Sequence, residues 1–550
     1  MPERAVNGGV GDGAGRKALL WLARQPWLRW QLSGPAPASI AAPPGEPWFP
    51  QAPTDGAFAE DFYTGRYRLG GHERRLRHSP FELRMGPDVP REWYEALHGF
   101  GWLRPLADEN TYLARANAQA FVADWIALVG RDLQDPAWAP AIAARRLDSW
   151  LTHHDTISRG ANRAVYRLYA RSVGQHVRAL RLMAPGAGRT DRGRIGYALA
   201  LAQAATGNRT RGPLLLGEAL RDLFGPDGGP VSQDPREALW WLAALRRLLR
   251  VDVERWDARD RRHVAPLDRV AERLRLWLRA VRHADGRLAQ FNGTGWVPLS
   301  LVDACLGADR AAEGVRLGGY HRLVRGDAVL VADRGRGSLF RGGGGFELSV
   351  PAGRLVVSCG ALGREGRLAA ALRGAGAHST FDPAGEAAAP SSESETALDE
   401  DGTAHIVTTH GALRHERWLR FDADGLAGLD RFERIDGNED EDDEPLGVLR
   451  FHLHPAVAVR REREHALDLE LRPGRAVAAD WTFHCIDAVV RTQDTMLFAE
   501  SPDGEGQIAR QIVLDVPPPP RGEGGRQPVE LRWMFVPRPP AEPEPERRRR

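Results

Sequence analysis

The spacing of the apolar residues changes once along this 550-residue chain, near residue 312. Before that point apolar side chains recur every three or four residues, as Phe121, Trp125 and Leu128 do, which predicts amphipathic helices. From Gly319 onward apolar and polar residues alternate, which predicts β-strands with one buried face. Helices followed by strands indicate separate domains rather than an interleaved α/β fold.

The two halves predict different architectures. Helical runs are expected at residues 115–133, 138–152, 163–183, 193–206, 213–224, 236–251 and 265–282. Because their connections are short, successive helices should pack antiparallel in an α/α helical array, an incomplete toroid. The later strands are short and separated by Gly or Asp turns, which is typical of a C-terminal antiparallel β-sandwich.

We therefore predict a multidomain protein with α and β parts. They are an irregular N-terminal arm (1–90), a toroid-like helical domain (91–311), a β-sandwich domain (312–537) and a disordered tail (538–550). Two further segments, the small and polar Ala387–Ala397 and the six-carboxylate run Glu439–Glu444, are predicted to be loops or disordered.

Composition excludes several classes of function. The formal net charge is only +2, from 75 basic and 73 acidic residues, so no global field selects nucleic acid. Lys17 is the only lysine, which leaves no candidate for Schiff-base or Walker A chemistry beyond it. Cys305, Cys359 and Cys485 lack the CxxC spacing of a zinc site. No apolar run approaches the length of about 18 residues that a transmembrane segment needs, and no clear signal peptide is present.

Within the stretch Leu449–Ala458, the apolar residues Leu449, Phe451 and Leu453 alternate with polar ones, which predicts a half-buried strand. Its polar face carries Arg450, His452 and His454, a guanidinium and two imidazoles that suit an anionic ligand. Two histidines do not complete a metal site, so we expect no bound metal.

A second candidate binding face lies on the helical run 138–152 and the residues after it. Arg146, Trp150 and His153 are three and four positions apart, so they share one face of a helix. A guanidinium beside an indole suits a uronate, through charge pairing and stacking on the sugar ring. A tryptophan in the core of the helical bundle is the alternative interpretation.

Several blocks of the sequence resemble the heparinase II/III-like family. They include HSPFEL (78–83), LAQFNG (288–293), GYHRL (319–323), AHST (377–380) and RFHLHPAV (450–457). The resemblance covers most of residues 78–537. It implies an α/α toroid with a C-terminal β-sandwich, and β-elimination of a uronic-acid-containing polysaccharide without a cofactor.

Elimination needs a base, an acid and a group that neutralises the uronate carboxylate. The resemblance places His378 as base or acid, Tyr320 as acid and base, and Asn292 as a hydrogen-bonding partner of the carboxylate. Each residue also has a structural interpretation. His378 could be a buried structural histidine, Tyr320 an aromatic anchor that opens the first strand, and Asn292 a turn residue before Gly293.

The sequence departs from the family pattern at three places. Relatives often carry a histidine in the loop that here contains Gly342–Gly345, and another where Pro230 stands, and often an asparagine where this chain has Asp234. The leading hypothesis is a polysaccharide lyase or a degenerate lyase that acts on an acidic polysaccharide or oligosaccharide. A non-catalytic protein for acidic-glycan binding or envelope assembly is the alternative.

A glycoside hydrolase on an α/α toroid is the second alternative, and it would need two opposed carboxylates. The resemblance implies a location in the cell envelope or periplasm, whereas the absence of a clear signal peptide leaves the cytoplasm open. The sequence leaves the polymer, endo or exo action and the oligomeric state open.

Overall fold

The computed structural model describes residue 32 and residues 34–45, 56–307, 317–335, 342–362, 366–384, 392–399, 401–435, 444–472, 479–500, 504–522 and 525–538. The chain divides into two compact units. The first consists of Met1–Gly225 and Trp240–Arg273, and the second of Pro226–Leu239 and Leu274–Arg550. Most of the predicted disordered tail and most of the six-carboxylate run lie outside the described residues.

The helices fall where the helical periodicity predicts them, with additions. In chain order they are α1 (Gly56–Tyr63), α2 (Arg91–Gly99), α3 (Leu103–Glu109), α4 (Tyr112–Leu128), α5 (Pro140–Thr152), α6 (His154–Ser158), α7 (Arg163–Met183), α8 (Arg189–Thr206), α9 (Gly212–Leu223), α10 (Pro235–Leu249), α11 (Ala258–Val264), α12 (Leu267–Ala280), α13 (Leu299–Leu306) and α14 (Arg367–Ala371). Helix α7 has both of its predicted ends. Its first turn is capped by Asn162, whose side chain accepts hydrogen bonds from the backbone N–H groups of Ala164 and Val165.

Helices α8 and α9 pack backbone against backbone in the first unit. A Cβ atom on Gly196 would lie 2.6 Å from the backbone nitrogen of Leu216, and one on Gly212 would lie 2.1 Å from that of Ala200. Only glycine permits this approach. The two helices are consequently fixed relative to each other along their contact.

Part of the region predicted as an irregular arm is regular. Residues Arg66–Leu69 (β1) and His72–Arg75 (β2) form an antiparallel hairpin after helix α1. Its turn is Gly70-Gly71, with φ values of 56° and 76°. Two positive φ values in a two-residue turn suit the twist of a hairpin. The glycines that suggested irregular structure are therefore the turn itself.

The second unit contains two eight-stranded antiparallel sheets. Their strands are β3 (Tyr320–Arg325), β4 (Ala328–Asp333), β5 (Phe346–Val350), β6 (Gly353–Val357), β7 (Phe381–Pro383), β8 (Ser392–Leu398), β9 (Ala404–His410), β10 (Leu413–Phe421), β11 (Leu426–Arg434), β12 (Gly447–Leu453), β13 (Val457–Arg463), β14 (Ala466–Leu471), β15 (Ala479–Cys485), β16 (Arg491–Leu497), β17 (Gln507–Val516) and β20 (Val529–Pro537), with a short pair β18 (Arg521–Gly522) and β19 (Gly525–Arg526) apart from them. One sheet has the order β13-β14-β15-β20-β11-β10-β9-β8. The other has the order β16-β17-β12-β6-β5-β4-β3, with β7 paired to β12.

The two sheets share one apolar core. Phe346 of one sheet stacks on Trp533 of the other, with ring centroids 5.4 Å apart, and Phe451 approaches the same indole at 4.8 Å. Large aromatic side chains that interdigitate between two sheets define a sandwich. The predicted fold class, a helical array followed by an antiparallel β-sandwich, is confirmed.

Strand β8 corrects one expectation about the loops. Ala387–Ala397 was predicted to be a loop, yet Ser392–Leu398 forms an edge strand that pairs with β9. The sequence SESET offers none of the alternating apolar residues by which strands are predicted. Backbone pairing with a neighbour does not require them, so such an edge strand escapes pattern analysis.

The predicted domain boundary at 311/312 lies within residues 308–316, outside the described part of the chain. Because the periodicity of the sequence changes near residue 312, we expect limited proteolysis to cut between helix α13, which ends at Leu306, and strand β3, which begins at Tyr320. Residues 274–307 belong to the second unit, and the products should therefore separate only in denaturant. Circular dichroism of the isolated C-terminal product should be of the β type, and a mainly helical spectrum would contradict the boundary.

Candidate functional site

Two of the three predicted catalytic residues meet in a polar cluster of the second unit. Tyr320 begins β3 and pairs directly with Asp333 at the end of β4. The loop that follows α12 brings Asn292 to the same place, where its amide Nδ2 donates to the Tyr320 hydroxyl oxygen over 2.8 Å. The same Nδ2 lies 3.4 Å from Asp333 Oδ2. The Tyr320 hydroxyl donates in turn to the backbone carbonyl of Gln233.

The conformation of Asn292 shows why this residue type stands in the loop. Its φ is 53°, in the left-handed region, and Gly293 follows with a φ of 102°. Asparagine is among the few residues other than glycine that adopt this region readily. The turn interpretation and the hydrogen-bonding interpretation therefore apply to the same side chain.

Burial determines which groups of the cluster hold a proton near neutral pH. The pKa of Tyr320 is raised well above its ordinary value by burial and by the negative charge of Asp333. Burial also raises the pKa of Asp333 to about 7, although hydrogen bonds from the Gly335 N–H and from Asn292 oppose the shift. Near neutral pH the tyrosine therefore keeps its proton, whereas the Asp333 carboxyl can take up or release one.

Asp333 was not among the residues predicted from the sequence. It ends the apolar run Ala328–Asp333 and precedes a glycine-containing turn, which is the ordinary place for an aspartate of structural importance. No local pattern distinguishes this position. Its contact with Asn292 spans 41 residues and is produced by the fold.

His378 is also in the second unit, directly after a short 3-10 turn at Ala375–Ala377. Its side chain is buried, and burial lowers its pKa to about 4 against the opposing charge of Glu347. The imidazole is therefore neutral at pH 7. The charge of Glu347 also contributes to the raised pKa of Tyr320, so the same carboxylate influences both predicted catalytic groups.

Gly342, the first residue of the glycine run 342–345, packs against the His378 ring. A Cβ atom on Gly342 would lie 2.9 Å from Cγ of the His378 ring, and one on Gly345 would lie 3.7 Å from His378 Cβ. A histidine at position 342 could not be accommodated without moving that ring. The departure from the family pattern in this loop is thus coupled to the way His378 packs.

Glu347 organises the loop that carries Asn292. Its carboxylate is fully buried and accepts hydrogen bonds from His283 Nε2 at 2.8 Å and from the backbone N–H groups of Gln290 and Ser358 at 3.0–3.2 Å. A buried carboxylate with these donors is well satisfied. It connects strand β5 to the residues just before Asn292.

A buried ion pair of the opposite sheet supports the glycine run and the His378 segment. Arg417 Nη1 donates to the carbonyls of Gly344 at 2.7 Å and Ser379 at 3.0 Å, and its Nε donates to Asp430 over 2.7 Å. Asp430 also accepts from His415 at 2.6 Å and from the Trp533 indole at 2.7 Å. The Arg417 and His415 partners hold the pKa of Asp430 far below its usual range. We call Arg417, Asp430, His415 and Trp533 the sandwich ion cluster.

Two residues of the predicted polar face, Arg450 on β12 and His454 just after it, have acidic partners. Arg450 Nε donates to Asp382 over 3.0 Å. His454 Nε2 lies 3.7 Å from Glu500, whose carboxylate also pairs with the buried Arg354. Both side chains are partly exposed, and their predicted role in substrate binding stays a prediction.

His452, between them, is buried rather than outward-facing. Its Nε2 donates to the carbonyl of Gly376 over 3.0 Å, while Nδ1 lies 3.1 Å from the Thr495 hydroxyl and 3.4 Å from Cys359 Sγ. Burial lowers its pKa to about 3. Strand β12 is therefore covered on both faces at this position, which corrects the expectation of a half-buried strand there.

The structure encloses the predicted binding face on α5 within the first unit. The Arg146 guanidinium is fully buried, stacks over Trp125 at 3.9 Å and donates to His176 Nε2 over 2.8 Å. Trp150 is also fully buried, and burial lowers the pKa of His153 to about 3. This placement favours the core interpretation of Trp150. A role of the three residues in substrate binding stays a prediction and would need this core to open.

Searches for other kinds of site are negative within the described part of the chain. No group of three or more His, Cys, Asp or Glu side chains is arranged to hold a metal ion there. None of the helices described combines the length and the hydropathy needed to cross a bilayer.

Comparisons with known proteins agree with this architecture. Residues 308–534 match the family model described as heparinase II/III-like, C-terminal. No curated protein matches the sequence. Among solved structures, heparinase III is similar over 95% of this chain and 89% of its own, at 12% identity and a TM-score of 0.70.

Two further solved structures share the fold. A heparinase III gene product has a TM-score of 0.60 at 13% identity, and a mutant of the heparan sulfate lyase HepC from Pedobacter heparinus has 0.57 at 13% identity. Each match covers 95% of this chain and 88% of the other. At these identities the likeness establishes the fold, which is of the lyase type. The C-terminal part of the chain, residues 308–534, is thus heparinase II/III-like, and the chain shares the fold of these solved structures.

Proposed function

We propose that the protein is a polysaccharide lyase that cleaves a uronic-acid-containing acidic polysaccharide by β-elimination. The observation that carries the proposal is the cluster of Asn292, Tyr320 and Asp333, which joins an amide, a phenol and a carboxyl group from separate segments. These are groups that can transfer a proton and bind a carboxylate, which elimination requires.

The shifted pKa values suggest a division of roles. Tyr320, whose pKa is raised well above its ordinary value, keeps its proton and suits the acid that protonates the leaving glycosidic oxygen. His378, whose pKa is about 4, is neutral at pH 7 and suits the acceptor of the proton alpha to the carboxylate. Environments that push two pKa values apart are typical of acid–base pairs.

Asn292 has an atom left for a ligand. Its Oδ1 is buried and has no hydrogen-bond partner among the described residues. An unsatisfied buried acceptor costs about 1–3 kcal/mol, so a donor from a ligand or a water would stabilise it. Sugar hydroxyls, and a uronic acid in its protonated form, are such donors. A hydroxyl-bearing ligand such as a carbohydrate therefore suits this acceptor.

A second candidate function is non-catalytic binding of an acidic glycan. The observation in its favour is that the Tyr320 proton already belongs to a hydrogen bond with the Gln233 carbonyl. The side chain of Tyr320 is only 1% exposed, so its use in catalysis requires that this bond be exchanged for one to the substrate. A protein that never makes this exchange would bind the polymer without cleaving it.

A screen of uronate polymers distinguishes the candidates. Elimination leaves an unsaturated uronate, so we expect ultraviolet absorbance to increase when the purified protein meets its substrate. Binding without a change in absorbance would favour the second candidate. New reducing ends without absorbance would indicate hydrolysis, and neither binding nor cleavage across the panel would contradict both proposals.

A further inference from the structure

The first unit contains a cavity of about 680 Å³ that the candidate site does not use. The ends of three helices surround it: the C-terminal end of α7, the first turn of α8 and the start of α9. A volume of this size lies within the range of about 300–1,000 Å³ that is usual for small-ligand sites. It is large enough to hold sugar residues.

The lining of the cavity is strongly basic. Arg178, Arg181, Arg192 and Arg211 face it, and Glu218 is the acidic residue in the described lining, which leaves an excess of three positive charges. Arg211 is the N-cap residue of α9, and Arg192 lies in the first turn of α8. The N-terminal ends of α8 and α9 add partial positive charge at the same place, and the C-terminal end of α7 adds partial negative charge.

The guanidinium groups fall into two pairs. Arg178 donates to the backbone carbonyls of Leu32, Gly34 and Pro35, and Arg192 lies within hydrogen-bonding distance of the Ala187 carbonyl, at 3.3 Å. These two are anchored to the protein. No described residue forms an ion pair or a side-chain hydrogen bond with Arg181 or Arg211, so their donors are available to a ligand.

Apolar side chains complete the lining. Leu182 and Leu215 face the cavity beside the arginines. Arginines with free donors recognise carboxylate and sulfate groups in a planar, two-pronged geometry. An apolar surface next to them suits the face of a pyranose ring. The combination selects an acidic sugar over a small inorganic anion, which would leave the apolar part uncovered.

We propose that this cavity is a non-catalytic subsite of the first unit for acidic oligosaccharides that bear carboxylate or sulfate groups. The inference rests on the proposed function only for the class of ligand, since no step of the elimination passes through these arginines. Such a subsite would retain a polyanionic chain near the enzyme between cleavage events. Binding should weaken as salt increases, because exposed guanidinium groups carry the attraction.

The probe that tests this inference is a sulfated gluco-oligosaccharide. It carries the required anions but lacks a uronate, so the protein cannot eliminate it. The neutral gluco-oligosaccharide of equal length reports on the contribution of the sugar alone. Calorimetric titration of the full chain gives the dissociation constant for each.

The variant is Arg181→Ala/Arg211→Ala, and the matched control is Arg259→Ala/Arg262→Ala. The control removes the same charge from exposed arginines of helix α11, which lie outside the cavity. We expect the cavity variant to bind the sulfated probe about tenfold or more weakly and the control to bind it within about twofold of the unchanged protein. The melting temperature should be the same in both, because the substituted side chains are exposed.

Three results would overturn the subsite. The first is unchanged binding of the sulfated probe in the cavity variant, and the second is an equal loss of binding in both variants. The third is that a single-stranded DNA of the same charge binds as tightly and depends equally on the cavity arginines, which would indicate a general polyanion surface. The proposed function fails by a different measurement, the absence of ultraviolet product from uronate polymers. Loss of probe binding confined to the cavity variant would support the subsite even then.

Discussion

Replacing Arg417 by methionine should lower the free energy of unfolding by about 3–5 kcal/mol, because the change leaves Asp430 as a buried charge whose strongest partner is gone. The Arg417 and Asp430 side chains are both fully buried. The carbonyls of Gly344 and Ser379 would lose their guanidinium donor at the same time. For a domain of 150–250 residues this corresponds to a melting temperature about 6–20 °C lower.

Arg431→Met is the matched control for this prediction. Arg431 lies next to Asp430 on β11, but it is partly exposed and pairs with Glu433 over 3.8 Å. A surface pair of this kind contributes about 0–1 kcal/mol. Differential scanning calorimetry of both variants gives the comparison, and similar losses in Arg417→Met and Arg431→Met would contradict the importance assigned to the sandwich ion cluster.

A double variant tests the cause of the loss. In Arg417→Met/Asp430→Leu neither charge remains, so the penalty for an uncompensated carboxylate disappears and part of the stability should return. His415 and Trp533 would still lack the acceptor that Asp430 provides. Recovery should therefore be incomplete. A double variant less stable than Arg417→Met would show that the carboxylate itself, rather than its pairing, maintains the sandwich.

The fold follows from patterns that act locally. Helix α7 could be predicted with both ends because Asn162 caps its first turn and Pro185 follows its last residues. The strands of the sandwich could be predicted because their inner face must be apolar at every second residue. The local pattern around the Gly70-Gly71 turn is ambiguous, and the β1–β2 hairpin was therefore not predicted.

The contacts of the candidate site depend on the fold more than on local sequence. Asn292 and Tyr320 were predicted because they lie in recognisable blocks, but their hydrogen bond joins residues 28 positions apart. Asp333 reaches the same cluster only because the β3–β4 register places it opposite Tyr320. Glu347 was not among the predicted residues, and its role appears only through its bond to His283.

The helix face of Arg146 and Trp150 shows what residue spacing alone does not determine. A spacing of four places both residues on one face of α5, but it does not determine whether that face points to solvent or to other helices. The residue spacing is the same whether the guanidinium lies in a binding cleft or stacks on a buried indole. The surrounding aromatic residues decide between them, and Trp125 covers this guanidinium at 3.9 Å.

Replacing Tyr320 by phenylalanine should lower the elimination rate by about 10²–10⁴-fold if the hydroxyl is the acid of the reaction, since this is the usual contribution of a proton-transfer group. The ring packing against Phe291 and Trp277, with centroids 5.6 Å and 5.8 Å away, would be preserved. The Gln233 carbonyl would lose its donor, which costs about 1–3 kcal/mol of stability. The unsaturated product measures the rate, and a thermal melt measures the stability.

Tyr169→Phe controls for the lost hydrogen bond. Tyr169 is buried in the first unit, and its hydroxyl donates to the Trp150 carbonyl over 3.0 Å. This variant removes the same kind of bond as Tyr320→Phe at a position outside the candidate site. It should therefore lose comparable stability while it keeps its elimination rate.

His378→Ala completes the test, because elimination requires both proton transfers. We expect a loss of about 10²–10⁴-fold if the imidazole is the base, together with some loss of stability from the cavity that the ring leaves beneath Gly342. Near-normal rates in both Tyr320→Phe and His378→Ala would rule out this site. In another outcome, Tyr320→Phe and His378→Ala each bind the polymer, melt normally and lose no more of the elimination rate than Tyr169→Phe does. That result would show that other residues carry out the catalysis. If the unchanged protein binds but never cleaves, and the two substitutions affect only its melting temperature, their role is structural and the glycan-binding function is the one that remains.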